Sequence, residues 1–386
     1  MGKVVMDQMV TQHATIKGPF SRRVRAQLAS GLLAGLLAMP GALAATGELR
    51  VYNWSDYITP QALTDFKNQT GIKLTYDVFD TNEALEAKLL AGRSGYDVVV
   101  PSNTFLAKQV QAGVFLTLDR SKLPNWQYLD PTLMALLQEN DPGNQHAIPY
   151  MYGTVILGYN VDKVQAVLGD SAPVDSWDLI FKQEYASKLA KCGIAFIDSP
   201  SDIIPIALNY LKLSPNSTKV ADYEQAKALL LSVRPYIRYF HSSKYMNDIA
   251  SGDICVAIGY SGSFYQFGNV AKDANNGVQV AMRQPKEGAP IWFDMLAIPK
   301  DAPDVDEAYQ FINYLLQPAV IAPISDKTGY PNPNKEGIKQ VKSEIRDNPD
   351  LVPSAANMAR LFPLKPLPAK VERVRTRIWN TIKSGT

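Results

Sequence analysis

The strongest constraint on the fold is an alternation of strand and helix signals running from residue 48 to residue 103. Glu48–Asn53 alternates apolar with polar residues, Leu49 and Val51 sharing one face, which is the period of a half-buried strand. Thr59-Pro60 then starts a helix with proline at its first helical position, and Gly71 stops it. Lys73–Phe79 reads as a second strand. Thr81 opens the next helix, whose Leu85 and Leu89 lie one turn apart, and Gly92 ends it. Tyr96–Val100 is a third strand, and Val98-Val99-Val100 is a continuous apolar run of the kind a parallel sheet buries on both faces. Pro101-Ser102-Asn103 leads into another helix. A β-α-β-α-β order is the opening of a doubly wound α/β sheet.

The pattern resumes after a less regular middle. Ile194–Asp198 and Asp253–Gly259 read as strands, with helices over Ile203–Leu211 and Tyr223–Val233 between them, which makes a second α/β unit. Ile291–Pro299 is a later strand, and Val305, Ala308, Tyr309, Ile312, Leu315 and Leu316 form an apolar stripe at helical spacing. The 386 residues suit two domains at roughly 150 residues each. We expect one lobe from residues 46–150 plus 270–316 and a second from 151–269 plus 317–386, with a cleft between them. Ligands of such sheets sit at the carboxyl ends of the strands.

Charge points the same way. The chain has 39 Lys and Arg against 37 Asp and Glu, but residues 1–44 hold Lys3, Lys17, Arg22, Arg23 and Arg25 against Asp7 alone, so the remainder has a net charge of −2. That balance excludes a phosphate-tracking nucleic-acid binder. The basic start, the apolar stretch Ala26–Met39 and the small-residue site Ala42-Leu43-Ala44 read as a secretory signal peptide cleaved after Ala44. A membrane anchor is the alternative, but the apolar part falls short of the 18 or so residues that a span needs. Ser21-Arg22-Arg23 leaves two readings open, a twin-arginine signal or a start codon placed too early. No Cys follows the cleavage site, so no lipid anchor is implied.

Chemistry for catalysis is missing from the sequence. His13, His146 and His241 are scattered, there is no Walker loop or dinucleotide fingerprint, and Gly259–Ser263 lacks the spacing of a nucleophile elbow. Neither an enzyme, nor a metal site, nor a cofactor is expected. The two cysteines, Cys192 and Cys255, each flank a predicted strand of the exported part. A single disulfide and a pair of buried thiols both fit.

Aromatic and acidic residues instead collect where strands end. Trp54, Asp56 and Tyr57 follow the first strand, Ser102 the third, Asp202 the strand after Cys192, and Tyr260 the Cys255 strand. Trp292 and Asp294 lie in the later strand, and Tyr330 sits in a Gly-Tyr-Pro loop. Ring faces attract a cation, and a carboxylate supplies the partner that a desolvated ammonium requires. Together they describe a box for an alkyl amine.

Tyr52-Asn-Trp-Ser-Asp-Tyr57, Tyr76–Glu83, Ser94–Asn103, Leu123–Trp126, His241–Tyr245 and Trp292-Phe-Asp294 carry a resemblance to the periplasmic putrescine/spermidine-binding proteins of ABC importers. It extends over nearly all of residues 48–386. It implies a two-lobed periplasmic binding protein of type II topology, monomeric, that closes on a polyamine and delivers it to an inner-membrane permease. It implies amine contacts at Trp54, Ser55, Asp56, Tyr57, Ser102, Asp202, Tyr260, Ser263, Trp292, Asp294 and Tyr330, and a disulfide between Cys192 and Cys255. The sequence departs from the family at Asp202, where a relative has Glu, at Tyr260, where Trp is usual, and at Ser263, where an Asp pairs with an ammonium. Met151–Asn160 also departs from a Trp-Gly-Thr pattern. Ser263 leaves two expectations open: an amine with an uncharged or acylated second end, or a diamine held by Asp56, Asp202 and Asp294. A different class of function is a loaded sensor protein read by a membrane chemoreceptor or kinase.

Overall fold

A computed structural model gives the structure of residues 47–385, so the expected signal peptide and its cleavage site lie outside the described residues. β1 (Glu48–Trp54) and β2 (Lys73–Phe79) pair in parallel from Glu48 opposite Lys73 to Trp54 opposite Phe79. The intervening helix, Pro60–Thr70, has the ends its sequence dictates: Thr59 accepts from the Ala62 amide, and Gly71 leaves in the left-handed region at φ 72°. Thr81 caps the next helix, Asn82–Leu90, in the same way. β3 is shorter than its apolar run, only Val98–Val99. Its pairing with β1 ends at Val99, where the Val100 carbonyl accepts from the Trp54 indole at 2.9 Å and Pro101 has no N–H to donate.

The remaining strands are β4 (Ala147–Asn160), β5 (Ile194–Phe196), β6 (Ile237–Phe240), β7 (Val256–Tyr260), β8 (Val280–Arg283), β9 (Ala289–Ala297) and β10 (Leu361–Pro363). They form one continuous ladder in the order β2-β1-β3-β9-β4-β7-β5-β6, with β10 on β9 and β8 on β4. β4 holds this ladder together. Its first half, Ala147–Thr154, pairs antiparallel with β9, and its second half, Val155–Asn160, with β7 and β8. Every residue of β4 is buried, and its run of aromatic, apolar and glycine residues has neither the period of a helix nor that of a half-exposed strand.

Two separate cores hang on this ladder. The first gathers Leu49, Phe66, Val98, Phe293 and Phe311, and the second Trp177, Phe196, Ile204, Tyr245 and Trp379. Tyr260 and Trp292 pack against both. β8 follows the second half of β4 and places Met282 in the second core, while Ile321, Ile324 and Tyr330 lie in the first.

Cys192 and Cys255 are bonded, with Cα atoms 5.5 Å apart and a sequence separation of 63. They join the turn before β5 to the residue before β7, the strand that pairs with β5 in parallel. Of the two sequence readings the disulfide is the one realised. Closing a loop of this length constrains the unfolded chain by about 4 kcal/mol in the chain-entropy model. The Cys192→Ala/Cys255→Ala variant should therefore lose about 2–4 kcal/mol of unfolding free energy in urea titration, and an unchanged midpoint would refute this.

Candidate functional site

Close backbone approach builds the site. Trp292 and Asp294 lie two residues apart on β9, and Gly153 of β4 stands directly opposite Trp292. A Cβ at Gly153 would come within 2.5 Å of the indole, so the ring is bedded on bare backbone. Gly262 does the same for Tyr330, where a Cβ would lie 2.5 Å from the ring. The rings then contact one another edge to face. Tyr150 and Tyr57 are 5.6 Å apart, Tyr57 and Tyr330 5.9 Å, Tyr330 and Trp292 5.1 Å, and Trp292 and Tyr260 6.1 Å, with interplanar angles from 69° to 88°. Edge-on stacking leaves ring faces available to a cation. The Trp292 indole N–H is buried and donates to no described residue.

A supported carboxylate stands beside these rings. Ser102 forms a bridge to Asp294 and its hydroxyl donates to the Asp294 carboxylate at 2.6 Å. Asn82 fixes Ser102 from behind, donating to its hydroxyl and accepting its amide, each at 3.0 Å. Asp294 is 5% exposed, and burial pushes its pKa up to about 6 against the pull of Ser102 and Tyr57. The Tyr57 hydroxyl feels the Asp294 charge and makes no hydrogen bond of ordinary geometry.

Asp202 comes from the other half of the molecule, in the first turn of the helix Pro200–Tyr210. Ser199 donates to it at 2.6 Å. Burial raises its pKa, opposed by Ser199 and by the Arg375 guanidinium. The fields of Asp202 and Asp294 both reach the Tyr260 hydroxyl, whose pKa burial has already driven well up. Ser263, in the first turn of Ser261–Asp273, shares a hydrogen bond of 3.1 Å with the Tyr330 hydroxyl, so this corner is neutral.

Tyr57, Ser102, Tyr260, Ser263, Trp292, Asp294 and Tyr330 are thus linked by direct contacts or charge, with Asp202 joined through Tyr260. The other three occupy the end of β1 and the turn after it. Trp54 packs on Phe79 at 4.5 Å and spends its N–H on Val100. Ser55 is exposed and donates to Asp80 at 3.0 Å. Asp56 is exposed with φ 54°, a left-handed position that Asp tolerates. Sequence reasoning missed Asn82, Ser199, Tyr150, whose hydroxyl donates to the Tyr57 carbonyl, and Tyr245, whose hydroxyl accepts the Tyr260 amide. Among the described residues no group of three or more His, Cys, Asp and Glu is placed to hold a metal.

The bacterial extracellular solute-binding protein family matches residues 61–353. The chain is 55% identical over 360 residues to the putrescine-binding periplasmic protein PotF of Escherichia coli, covering 92% of this chain and 97% of that one. Against the putrescine-binding periplasmic protein SpuD of Pseudomonas aeruginosa it is 54% identical over 353 residues, covering 92% and 96%. Among solved structures, the spermidine/putrescine transporter substrate-binding protein PotD of Streptococcus pneumoniae superposes with a TM-score of 0.77 at 28% identity, over 88% of this chain and 99% of that one.

The raised carboxyls set a pH dependence. Asp294 titrates near 6 in the folded chain and near 3.8 when unfolded, so between these values the folded state holds the extra proton. Stability of the ligand-free protein should therefore fall as pH rises from 4 through about 6, and Asp202 works in the same direction. Thermal melts of the wild type and Asp294→Asn across this range test it: the variant should show the shallower slope, and parallel curves would be the contrary result.

Proposed function

We propose that this chain, which belongs to the bacterial extracellular solute-binding protein family, captures a putrescine-class diamine between its two cores and hands it to the permease of an ABC importer. The observation that carries the reading is the edge-on series Tyr57–Tyr330–Trp292–Tyr260 with a buried, supported carboxylate from each half, Asp294 and Asp202. An alkyl diamine matches it group for group. Its methylene chain lies along the rings, one ammonium ionises Asp294, and the other meets Asp202 at the amino end of a helix. The relatives with over half their residues in common are named for putrescine, which supports the same class.

Trp54, Ser55 and Asp56 belong in this reading to the rim, where the turn after β1 faces solvent. The two lobes are the two cores, and they turn about β4 and β9, whose paired segment contains Gly153 and Trp292. Export through residues 1–44 places the protein in the periplasm, where the Cys192–Cys255 disulfide persists. Nothing in the site or its relatives favours the sensor reading over transport.

An affinity panel of putrescine, cadaverine, spermidine, agmatine, a monoamine and an acylated diamine, measured by calorimetry on protein stripped of carried ligand, tests the proposal. Putrescine should bind, more tightly as pH rises through about 6 because the ammonium requires an ionised Asp294. Asp294→Asn should weaken it by roughly two to four decades, the cost of leaving a buried ammonium unpaired. Silence with every free diamine would overturn the diamine reading. A response to the acylated amine alone would make the neutral Ser263 corner the determinant, and Ser263→Asp should then restore free diamines.

A further inference from the structure

We propose that Lys108, Glu372 and Arg375 form a charged tie across the cleft that holds the loaded protein closed, with Arg375 acting as a positioning residue for Asp202. This rests on the diamine reading of the site. Lys108 belongs to the helix Asn103–Gln111, which starts at Ser102 and buries Leu106 in the first core. Glu372 and Arg375 belong to the C-terminal helix Ala369–Ser384, which buries Val371 and Ile378 in the second. Glu372 uses its oxygens separately: Oε1 meets Lys108 Nζ at 3.4 Å and Oε2 meets the Arg375 guanidinium at 2.6 Å. The pair from opposite cores is therefore pivoted on one carboxylate.

Arg375 links this pivot to the site. Its side chain is 15% exposed, and its charge acts on Asp202 against the effect of burial. The two acids share one guanidinium: Glu372 bonds it directly at 2.6 Å, and Asp202 feels its charge. An ammonium delivered to Asp202 supplies that carboxylate with its own counter-charge and leaves Arg375 to Glu372, which it already bonds. Ligand charge at Asp202 thus leaves the Arg375–Glu372 pair undivided at the contact between the two halves. A neutral contact runs beside it: Asn140, which accepts from Asn103 at the start of the Lys108 helix at 3.0 Å, donates to the Leu364 carbonyl at 3.3 Å.

The size of the effect is bounded by exposure. Lys108 is 43% and Glu372 24% exposed, so the pair is screened, and its loss should change affinity by about two- to fivefold. The closed state alone gains from the tie, so that change belongs in dissociation. Stopped-flow tryptophan fluorescence with putrescine should show Lys108→Ala dissociating two- to fivefold faster, with association unchanged. Lys108→Arg, which can still reach Glu372, should match the wild type, and 0.5 M NaCl should remove the difference between wild type and Lys108→Ala. Arg375→Gln should accelerate dissociation more, since it loses both the pivot and the field on Asp202. Equal dissociation rates for wild type and Lys108→Ala overturn the tie.

Failure of the diamine reading is distinguished by the wild type itself, which would then bind no amine of the panel. The tie is in that case read in the ligand-free protein from the distance between nitroxide labels on the exposed residues Leu90 and Val220. Lys108→Ala should broaden that distribution and Lys108→Arg should not; identical distributions overturn the proposal.

Discussion

Everything in the molecule depends on the antiparallel pairing of β4 with β9. Each strand belongs at once to a core and to the boundary between cores, and β4 changes partners between Thr154 and Val155 without breaking its backbone. Because all fourteen of its residues are buried, every peptide group must find a partner within the ladder or the side chains packed on it. The change of partners is met locally: the Thr154 amide donates to Ser261, the first residue of the helix that also carries Ser263. The strand that joins the two halves therefore also fixes the walls of the cleft, and a change in one is felt in the other.

Magnitudes decide which part of the site does what. A ring face contributes roughly 0.5 to 2 kcal/mol to a cation, while an unpaired buried ammonium costs roughly 3 to 5 kcal/mol. The rings alone therefore balance a desolvated charge only if several act together, and they recognise any alkyl cation alike. In the proposed reading the carboxylates settle whether an ammonium can enter at all. The aromatic series sets the shape of the slot and excludes water, which in turn makes the acids costly to ionise when unpartnered. Asp294 near 6 is the sign of that cost, and the Asn82–Ser102 pair shows how far neutral dipoles offset it.

Much of this was legible in sequence where the signal was local. Thr59-Pro60 and Gly71, or Thr81 before Leu85 and Leu89, are caps and stripes whose physics is complete within a dozen residues. Tyr57 and Tyr330 could be anticipated because they stand after a strand and in a loop, where α/β sheets place their ligands, whereas Trp292 and Asp294 lie inside β9 and are marked only by their chemistry and by the Trp-Phe-Asp resemblance. β4 was not legible, since a strand buried on all sides has no polar face to mark its period. Nor were Asn82, the first residue of its helix, and Ser199, an ordinary cap residue by sequence, whose roles come only from contacts with Ser102 and Asp202. Residues 317–330 show the same limit: Ile321 and Ile324 lie in the first core and Ala322 in the second, so chain order cannot say which half the helix supports.

Placing one carboxylate on each half gives a charged ligand leverage that two acids on one half would lack. A ligand shifts a conformational equilibrium only by its differential affinity for the two states. A monocation satisfied by Asp294 alone gains little from the approach of the second half, because its charge is already paired. A dication bound there still carries an unpaired ammonium, and bringing up Asp202 removes both that charge and the desolvation cost of Asp202 itself. In the proposed reading the second interaction is made only on closure, so the free energy that selects a diamine over a monoamine would be the same free energy that closes the protein. Recognition of two charges and the conformational signal to a permease would then follow from one arrangement of acids, with the aromatic series setting how far apart the charges must be.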